Sequence, residues 1–258
     1  MVYLRASHAD LTQQELYNFI LTNPLGILTT AIPSPNHSTI QSSHIPWVLD
    51  LPPAPKDEST HPPPAKLRGH IARANPQTKA IIEAVTAASS NILTDEVMVL
   101  FNGPVHHYVT PKFYVETKPE TGKVVPTWNY SAVQVYGTAR VFFDASAEET
   151  EEFLTKQLDY LWRQSEEREF GFTGMEGAEK AWDVGEAPES YVRLLKKGII
   201  GIEIEIGRIG GKHKMSQELS EGDRKGVIDG FTKIGTDDAV KLAAIVKERG
   251  ELKDLKKG

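Results

Sequence analysis

The chain has 258 residues, enough for one large domain or two small ones, and it contains no cysteine. Disulfides, thiolate catalysis and cysteine-bound zinc are therefore excluded. The net charge of −6 gives no general attraction for nucleic acid or an anionic membrane. No apolar run reaches the roughly 18 residues that a membrane helix requires. The residues near the start are polar where a signal peptide would need an apolar region. We expect a soluble intracellular, most simply cytoplasmic, protein.

The first elements are a short helix and two strands. Thr12 and Glu15 form a capping box that begins the helix. Residues 25–32 are dense in Leu, Ile and Thr, which predicts a buried strand. A second strand at residues 39–50 has a polar centre, and its Pro46 cannot donate to a ladder. We therefore expect an edge position or a bulge there.

Residues 51–65 contain six prolines and several charges, which predicts a surface loop. A linker between domains is less favoured, because the strands on both sides share one barrel pattern. We interpret this stretch as an insertion and assign it no role.

A strand, a turn and a helix follow. Residues 66–72 alternate, so that Arg68 and His70 share one strand face. Asn75 before Pro76 is a favourable N-cap, and apolar residues at helical spacing predict a helix of about three turns. Residues 96–101 and 106–110 then predict a hairpin.

The longest strand prediction covers residues 123–143. Trp128 and Tyr130 share one face, while the other face is almost continuously apolar. An outward pair of aromatic rings suits a flat, half-apolar ligand, although a barrel strand with outward aromatics would look the same. Both interpretations remain open on this segment alone.

The last part of the chain is mixed. Ser146 and Glu149 form a second capping box, which predicts a helix. We expect irregular structure at residues 166–186, a short helix from Pro188 to Gly198 and a last long strand. The last long strand covers residues 199–209. A turn at the glycine cluster of residues 207–211 and a charged helical end at residues 222–258 complete the predictions.

Several blocks of this sequence, in order, resemble the PaiB-type family of FMN-binding split barrels, which are related to pyridoxamine phosphate oxidase. They cover roughly residues 1–230 and read PLGILTT, SSHIPWVLD, LRGHIARANP, FNGPVHHYVTPKFY, KVVPTWNY with AVQVYG, GIIGIEIEIGRIGGKHKMSQ and DRKGV. The resemblance implies an α+β, mainly β fold: a split β-barrel with peripheral helices in residues 1–230 and a helical C-terminal tail in residues 231–258. It also implies FMN as cofactor and a homodimer with the flavin site at the subunit interface.

The strongest candidate for the FMN phosphate is the strand-turn-helix segment. Arg68, His70 and Arg73 precede the helix that Asn75 caps, and free N–H groups beside arginines form an anion site. The alternative is that both arginines make ordinary surface or interface ion pairs.

The flavin ring needs a planar apolar slot and polar groups for its pyrimidine edge. Trp128 and Tyr130 are the candidates for the slot, and Asn129, Ser43 and His44 are those for the edge. Lys123, at the start of the KVVPTWNY block, completes the candidate cofactor-binding residues.

Other chemistry has little support. His44, His70, His106 and His107 suggest a metal, but adjacent residues of a strand point to opposite faces and no zinc motif occurs, so we expect no metal site. No nucleophile motif is present, and no catalytic residue is assigned.

Three functions remain. The first is a flavin-dependent oxidoreductase or a flavin sensor. The second is a PaiB-like negative regulator of transcription, against which stand the acidic net charge and the lack of a basic recognition helix. The third is haem binding or degradation, which some split barrels perform and for which an exposed histidine would serve as axial ligand.

Overall fold

A computed structural model describes residues 5, 7–9, 12–52 and 63–255, so most of the proline-rich stretch lies outside the described residues. The chain divides into two compact units. Unit 1 comprises Met1–Asn23, Phe101–Gln134 and Gly210–Gly258, and unit 2 comprises Pro24–Leu100 and Val135–Ile209. The boundary predicted at residue 230 falls inside a helix of unit 1.

Within the described ranges, the strands are β1 Leu25–Ala31, β2 Ile40–Pro46, β3 Val48–Asp50, β4 Lys66–Ala72, β5 Val97–Asn102, β6 His107–Val109, β7 Thr127–Phe142 and β8 Ile199–Lys214. The α-helices are α1 Gln13–Thr22, α2 Pro76–Ala87, α3 Thr117–Thr121, α4 Glu148–Ser165, α5 Glu189–Lys197, α6 Glu221–Ile234 and α7 Asp237–Leu255.

The strands form one sheet in the order β2-β1-β5-β7-β8-β4-β3, with β6 paired to β7. β1 pairs antiparallel with β2 and β5, and β4 pairs antiparallel with β3 and β8. This mainly antiparallel sheet with peripheral helices confirms the predicted split-barrel class. The edge position predicted for residues 39–50 is confirmed too, since the segment breaks at Trp47 into β2 and β3, which end the strand order on opposite sides.

Three local predictions were wrong. β6 pairs with β7 and not with β5, so residues 96–110 form no hairpin. Ser146 does not cap α4: its N–H and Oγ both bond Asp144 Oδ1, at 2.9 and 2.7 Å, which leaves Ala147 at the cap. The glycine cluster lies inside β8, and a Cβ on Gly211 would come 2.7 Å from Leu16 and Val133. That glycine therefore permits close packing and does not make a turn.

The C-terminal segment forms two helices where the sequence predicted one. Gly235 ends α6 in the left-handed conformation with φ of 73°, and α7 begins at Asp237. Phe231 of α6 and Leu242 of α7 are fully buried in the core of unit 1. These helices are therefore part of the packed structure of unit 1.

The core of unit 2 includes a close contact between β8 and α4. Phe153 of α4 stacks on Phe142 with ring centroids 3.9 Å apart. A Cβ added to Gly201 of β8 would lie 2.4 Å from the Phe153 ring, so only glycine fits beneath it.

We predict that Gly201→Ala lowers the free energy of unfolding by about 1–3 kcal/mol, because the methyl group overpacks the Phe153 ring. Urea denaturation followed by circular dichroism measures it. Gly207→Ala is the control on the same strand, since its Cβ would meet only Tyr136 O at an ordinary 3.7 Å. Equal stability of the two variants would contradict the packing argument.

His213 is a largely buried histidine of unit 1. Its Nδ1 lies 2.6 Å from Ser131 Oγ, and its ring meets Phe19 edge-on at 5.9 Å. Burial, followed by the positive charge of Arg249, lowers the pKa of His213 from 6.5 to about 4, against the opposing effect of Glu15. The folded protein therefore holds the neutral imidazole.

We predict that stability falls as pH is lowered through this range. The unfolded chain binds the proton near pH 6.5 and the folded chain only near pH 4, so the contribution is complete above pH 6.5 and decreases towards pH 4. Between pH 7.5 and 5 this histidine accounts for a loss of about 2 kcal/mol. In His213→Asn, the loss of unfolding free energy between pH 7.5 and 5, measured by urea denaturation, should be smaller by that amount. An unchanged loss would contradict the assignment of this pH dependence to His213.

Candidate functional site

Unit 2 contains an open groove between the polar strand β2 and the start of α2. It has a volume of about 630 Å³. We call it the β2–α2 groove; its lining residues are Ser38, Ile40, Gln41, Ser42, Ser43, Ala72, Asn75, Pro76 and Gln77.

Asn75 joins the two walls of this groove. Its Oδ1 accepts the Gln77 N–H at 2.9 Å, which caps α2, and its Nδ2 donates to Ser43 Oγ at 2.9 Å. The predicted N-cap is therefore confirmed, and the same side chain fixes the helix start against β2. Two of the predicted site residues, Ser43 and Asn75, are brought together in this way.

Gln77 lies beneath the groove and is 1% exposed. Its Nε2 donates to Leu28 O, Thr30 Oγ1 and Gln41 O at 3.2, 3.1 and 3.1 Å. Its Oε1 and Gln41 Nε2 are buried without a hydrogen-bond partner among the described residues. A buried unpaired polar group costs about 1–3 kcal/mol, so a ligand that reached either atom would supply its missing hydrogen bond.

Sequence reasoning missed both glutamines. Two features of the sequence could have indicated them. Gln41 lies in the polar centre of a strand, and Gln77 directly follows Asn75-Pro76, where a side chain of the first helical turn can point toward the sheet. His44, which was predicted, is exposed and lies on the opposite strand face from Ser43.

Arg68 and His70 of β4 contact α4. Arg68 is 8% exposed, its Nη2 donates to Asp50 Oδ1 at 2.6 Å, and its guanidinium lies 4.8 Å from the Tyr160 ring centroid. His70 Nδ1 lies 2.8 Å from Gln157 Oε1. Burial lowers the pKa of His70, and the bond to Gln157 opposes that effect. Their assignment to the cofactor stays a prediction.

Arg73 binds main-chain carbonyls. Its Nη2 donates to Phe143 O and Ile199 O at 2.6 and 3.4 Å, and its Nε donates to Lys197 O at 3.3 Å. It lines a second cleft of unit 2 rather than the β2–α2 groove. The predicted phosphate cluster of Arg68, Arg73 and Asn75 is thus distributed over three different environments.

The remaining predicted residues lie in unit 1. Trp128 is 54% exposed, and its ring lies 6.2 Å from those of His106 and Tyr108. Tyr130 shares its strand face and lies 5.0 Å from Lys212 Nζ. We call His106, Tyr108, Trp128 and Tyr130 the aromatic face. Three of its rings are exposed and Tyr130 is half-buried; Trp128 and Tyr130 share one strand face, as the sequence predicted.

Asn129 points to the other side of β7 and is fully buried. Its Oδ1 accepts from Ser216 Oγ at 3.1 Å, while its Nδ2 has no hydrogen-bond partner among the described residues. Lys123 is exposed before the strand. Lys214 donates to Trp128 O at 2.9 Å and to Thr127 Oγ1, and burial lowers its pKa. The backbone next to Trp128 is therefore held in place by a lysine.

Over the described ranges, no group of three or more His, Asp or Glu residues is placed to hold a metal ion. His106 and His107 diverge, since the first contacts Trp128 and the second contacts Phe231. No helix in this part of the chain is long and apolar enough to cross a membrane.

Comparison with known proteins identifies the family. A family model described as "Putative FMN-binding domain" matches residues 2–208. An uncharacterized protein of Aspergillus fumigatus is 55% identical over 262 residues, covering 99% of this chain and all of that protein. Protease synthase and sporulation protein PAI 2 of Bacillus subtilis is 26% identical over 247 residues, covering 96% of this chain and 95% of that protein.

Among solved structures, a conserved hypothetical protein of Mycobacterium tuberculosis matches with a TM-score of 0.47 at 12% identity, covering 85% of this chain and 95% of that one. The resemblance predicted from the sequence blocks is confirmed by the family model, which spans most of the chain. The protein belongs to the FMN-binding domain family of split barrels.

Proposed function

We propose that this protein binds FMN and that the flavin lies in the β2–α2 groove. The observation that carries the proposal is the match of the FMN-binding family model over residues 2–208. When bound, FMN supplies one- and two-electron redox chemistry, while the protein supplies binding, orientation and exclusion of water.

The groove fits a flavin by the chemistry of its donors and acceptors. The pyrimidine edge of a flavin presents two carbonyl oxygens with an N–H between them. Among the described residues, Gln41 Nε2 is a donor and Gln77 Oε1 an acceptor without a hydrogen-bond partner, and this edge requires both kinds of group. Ser43, on the same strand face as Gln41, adds a hydroxyl group that can both donate and accept. A few polar groups of this kind fix a cofactor's orientation.

We further propose a homodimer with the flavin site at the subunit interface. The groove is open to solvent, and Ile40 at its rim is 71% exposed. A second copy covering this rim would bury an isolated apolar side chain and exclude water from the flavin. Size-exclusion chromatography with light scattering, with and without FMN, measures the assembly.

The role of the bound flavin is either electron transfer to a substrate or sensing. Among the groove residues, none is a carboxylate, histidine or lysine, so the groove itself offers no general acid or base. A general acid or base in any turnover would therefore come from outside these groove residues, for example from the flavin, the substrate, water or the second copy. Reductant and acceptor screens of the FMN-loaded protein separate an oxidoreductase from a sensor.

The regulatory alternative predicts a salt-sensitive shift of DNA by the purified protein. The net charge of −6 makes non-specific DNA binding weak. A Soret band on adding haemin would instead support the haem alternative.

We predict that Gln41→Leu weakens FMN binding about five- to tenfold, because the unpaired amide donor is lost. Titration of the apoprotein with FMN, followed by flavin fluorescence, measures the affinity. Gln14→Leu, the same change at an exposed site of α1, is the control and should bind FMN like the wild type. An apoprotein that binds no FMN at all would end the proposed function, whereas unchanged affinity in Gln41→Leu would remove only this contact.

A second prediction tests the aromatic face. If Trp128 stacks on the ring system, Trp128→Ala weakens FMN and riboflavin by the same factor, because both carry the same ring. Aromatic stacking predicts a loss of about 1–1.5 kcal/mol, near tenfold. Trp128→Phe should restore most of the affinity. Wild-type affinity in Trp128→Ala would exclude Trp128 from the flavin site.

A further inference from the structure

A second cleft of unit 2 lies between the start of α4 and the basic side of α5. It has a volume of about 420 Å³ and shares no lining residue with the β2–α2 groove. We call it the α4–α5 cleft; its charged lining residues are Arg73, Glu148, Glu151, Arg193, Lys196 and Lys197.

Positive charge exceeds negative charge in this cleft. Four cationic side chains line it against two carboxylates. One carboxylate is already engaged, since Glu151 Oε1 accepts from Lys196 Nζ at 2.7 Å. The protein as a whole carries a net charge of −6, so a local excess of two positive charges goes against the average composition. Such a concave, cationic wall concentrates anions.

Arg73 lines this cleft and forms no salt bridge in the described part of the chain. Its hydrogen bonds go to three main-chain carbonyls, which hold the guanidinium but carry no formal charge. The nearby Asp144 accepts a hydrogen bond from Ser146 Oγ. The hydrogen bonds from Ser146 are the main cause of the lowered pKa of Asp144, and Arg73 has a smaller effect.

Arg193 and Lys197 are four residues apart on α5 and therefore lie on the same helix face as neighbouring Lys196. Both are exposed, and neither has an ion-pair partner in the described part of the chain. Like charges at this spacing destabilise a helix by a few tenths of a kcal/mol. An anion between them would remove that repulsion.

The start of α4 adds hydrogen-bond donors to the same cleft. Ala147 at the N-cap gives no side-chain cap, and the intrahelical bonds begin with Thr150 N–H to Ala147 O at 3.1 Å. The N–H groups of Glu148 and Glu149 precede that bond, at the positive end of an 18-residue helix. Glu148, the first residue of α4, also lines the cleft, which places the helix start at its wall.

We infer that the α4–α5 cleft binds a phosphate monoester group. Guanidinium, ammonium and peptide donors from separate elements suit a tetrahedral dianion with oxygens in several directions. The group belongs either to FMN itself or to a separate phosphorylated small molecule. The inference stands independently of the proposed flavin groove.

The test is calorimetric titration of the full-length protein with inorganic phosphate. Lys197→Gln should weaken phosphate binding about tenfold, because a charge-assisted contact is lost. Glu148→Gln should strengthen it, because it removes the unpaired carboxylate from the cleft. Lys156→Gln, a lysine of α4 that pairs with Glu152 outside the cleft, is the control for net charge and should leave binding unchanged.

Two results would overturn the inference: absence of phosphate binding by the wild type, or an equal effect of Lys197→Gln and Lys156→Gln. Repeating the titration in saturating FMN and in saturating riboflavin identifies the source of the group. Competition by FMN alone assigns the cleft to the flavin's own phosphate, and binding that persists in both assigns it to a separate molecule. Phosphate binding by a protein that ignores FMN would support the cleft and reject the proposed function.

Discussion

The β2–α2 groove depends on the two hydrogen bonds of Asn75. The side-chain oxygen caps α2 at the Gln77 N–H, and the side-chain nitrogen holds Ser43 on β2, each at 2.9 Å. Pro76 supports the same geometry because its fixed φ suits a first helical residue and its missing N–H needs no acceptor there. The helix start thus has a defined distance from the edge strand. Without that link, the polar side chains of β2 would face solvent with no opposing wall.

The position of Gln77 follows from this cap and gives the groove its polar base. The two N–H groups of the Gln77 amide reach three acceptors on β1 and β2, which joins α2 to both strands. The amide oxygen has no hydrogen-bond partner among the described residues. A fully paired amide would stabilise the fold more, and an apolar side chain would avoid the unpaired oxygen. Retaining the buried acceptor of Gln77 and the buried donor of Gln41, which both lack a partner among the described residues, is understandable where a ligand completes both. The stability of the fold and the binding of a ligand then both depend on the side chains of Gln41 and Gln77.

Local patterns in the sequence predicted the helices and strands better than they predicted which elements pair or pack together. The Asn75-Pro76 cap, the alternation of β4 and the long strand β7 all follow from interactions within a few residues. The pairing of β6 with β7 and the packing of α4 over Arg68 and His70 depend on residues far away in the chain, such as Gln157 and Tyr160, which no local pattern specifies. Gly211 shows the same limit: a glycine in a cluster suggests a turn until the side chains above it are known.

The arginines show why a site is harder to predict than a strand. From the sequence, Arg68 and Arg73 beside a helix start form one anion site. In the structure Arg68 is neutralised by Asp50 under the Tyr160 ring, whereas Arg73 is held by neutral carbonyls and forms no salt bridge in the described part of the chain. That carboxylate offsets the charge of Arg68, whose assignment to the cofactor stays a prediction. Arg73 still attracts anions, but toward α5, whose Arg193 and Lys197 no sequence motif connected to it. The positive charge in the sequence therefore indicated anion binding. The hydrogen-bond and ion-pair partners of each guanidinium determine where an anion can bind.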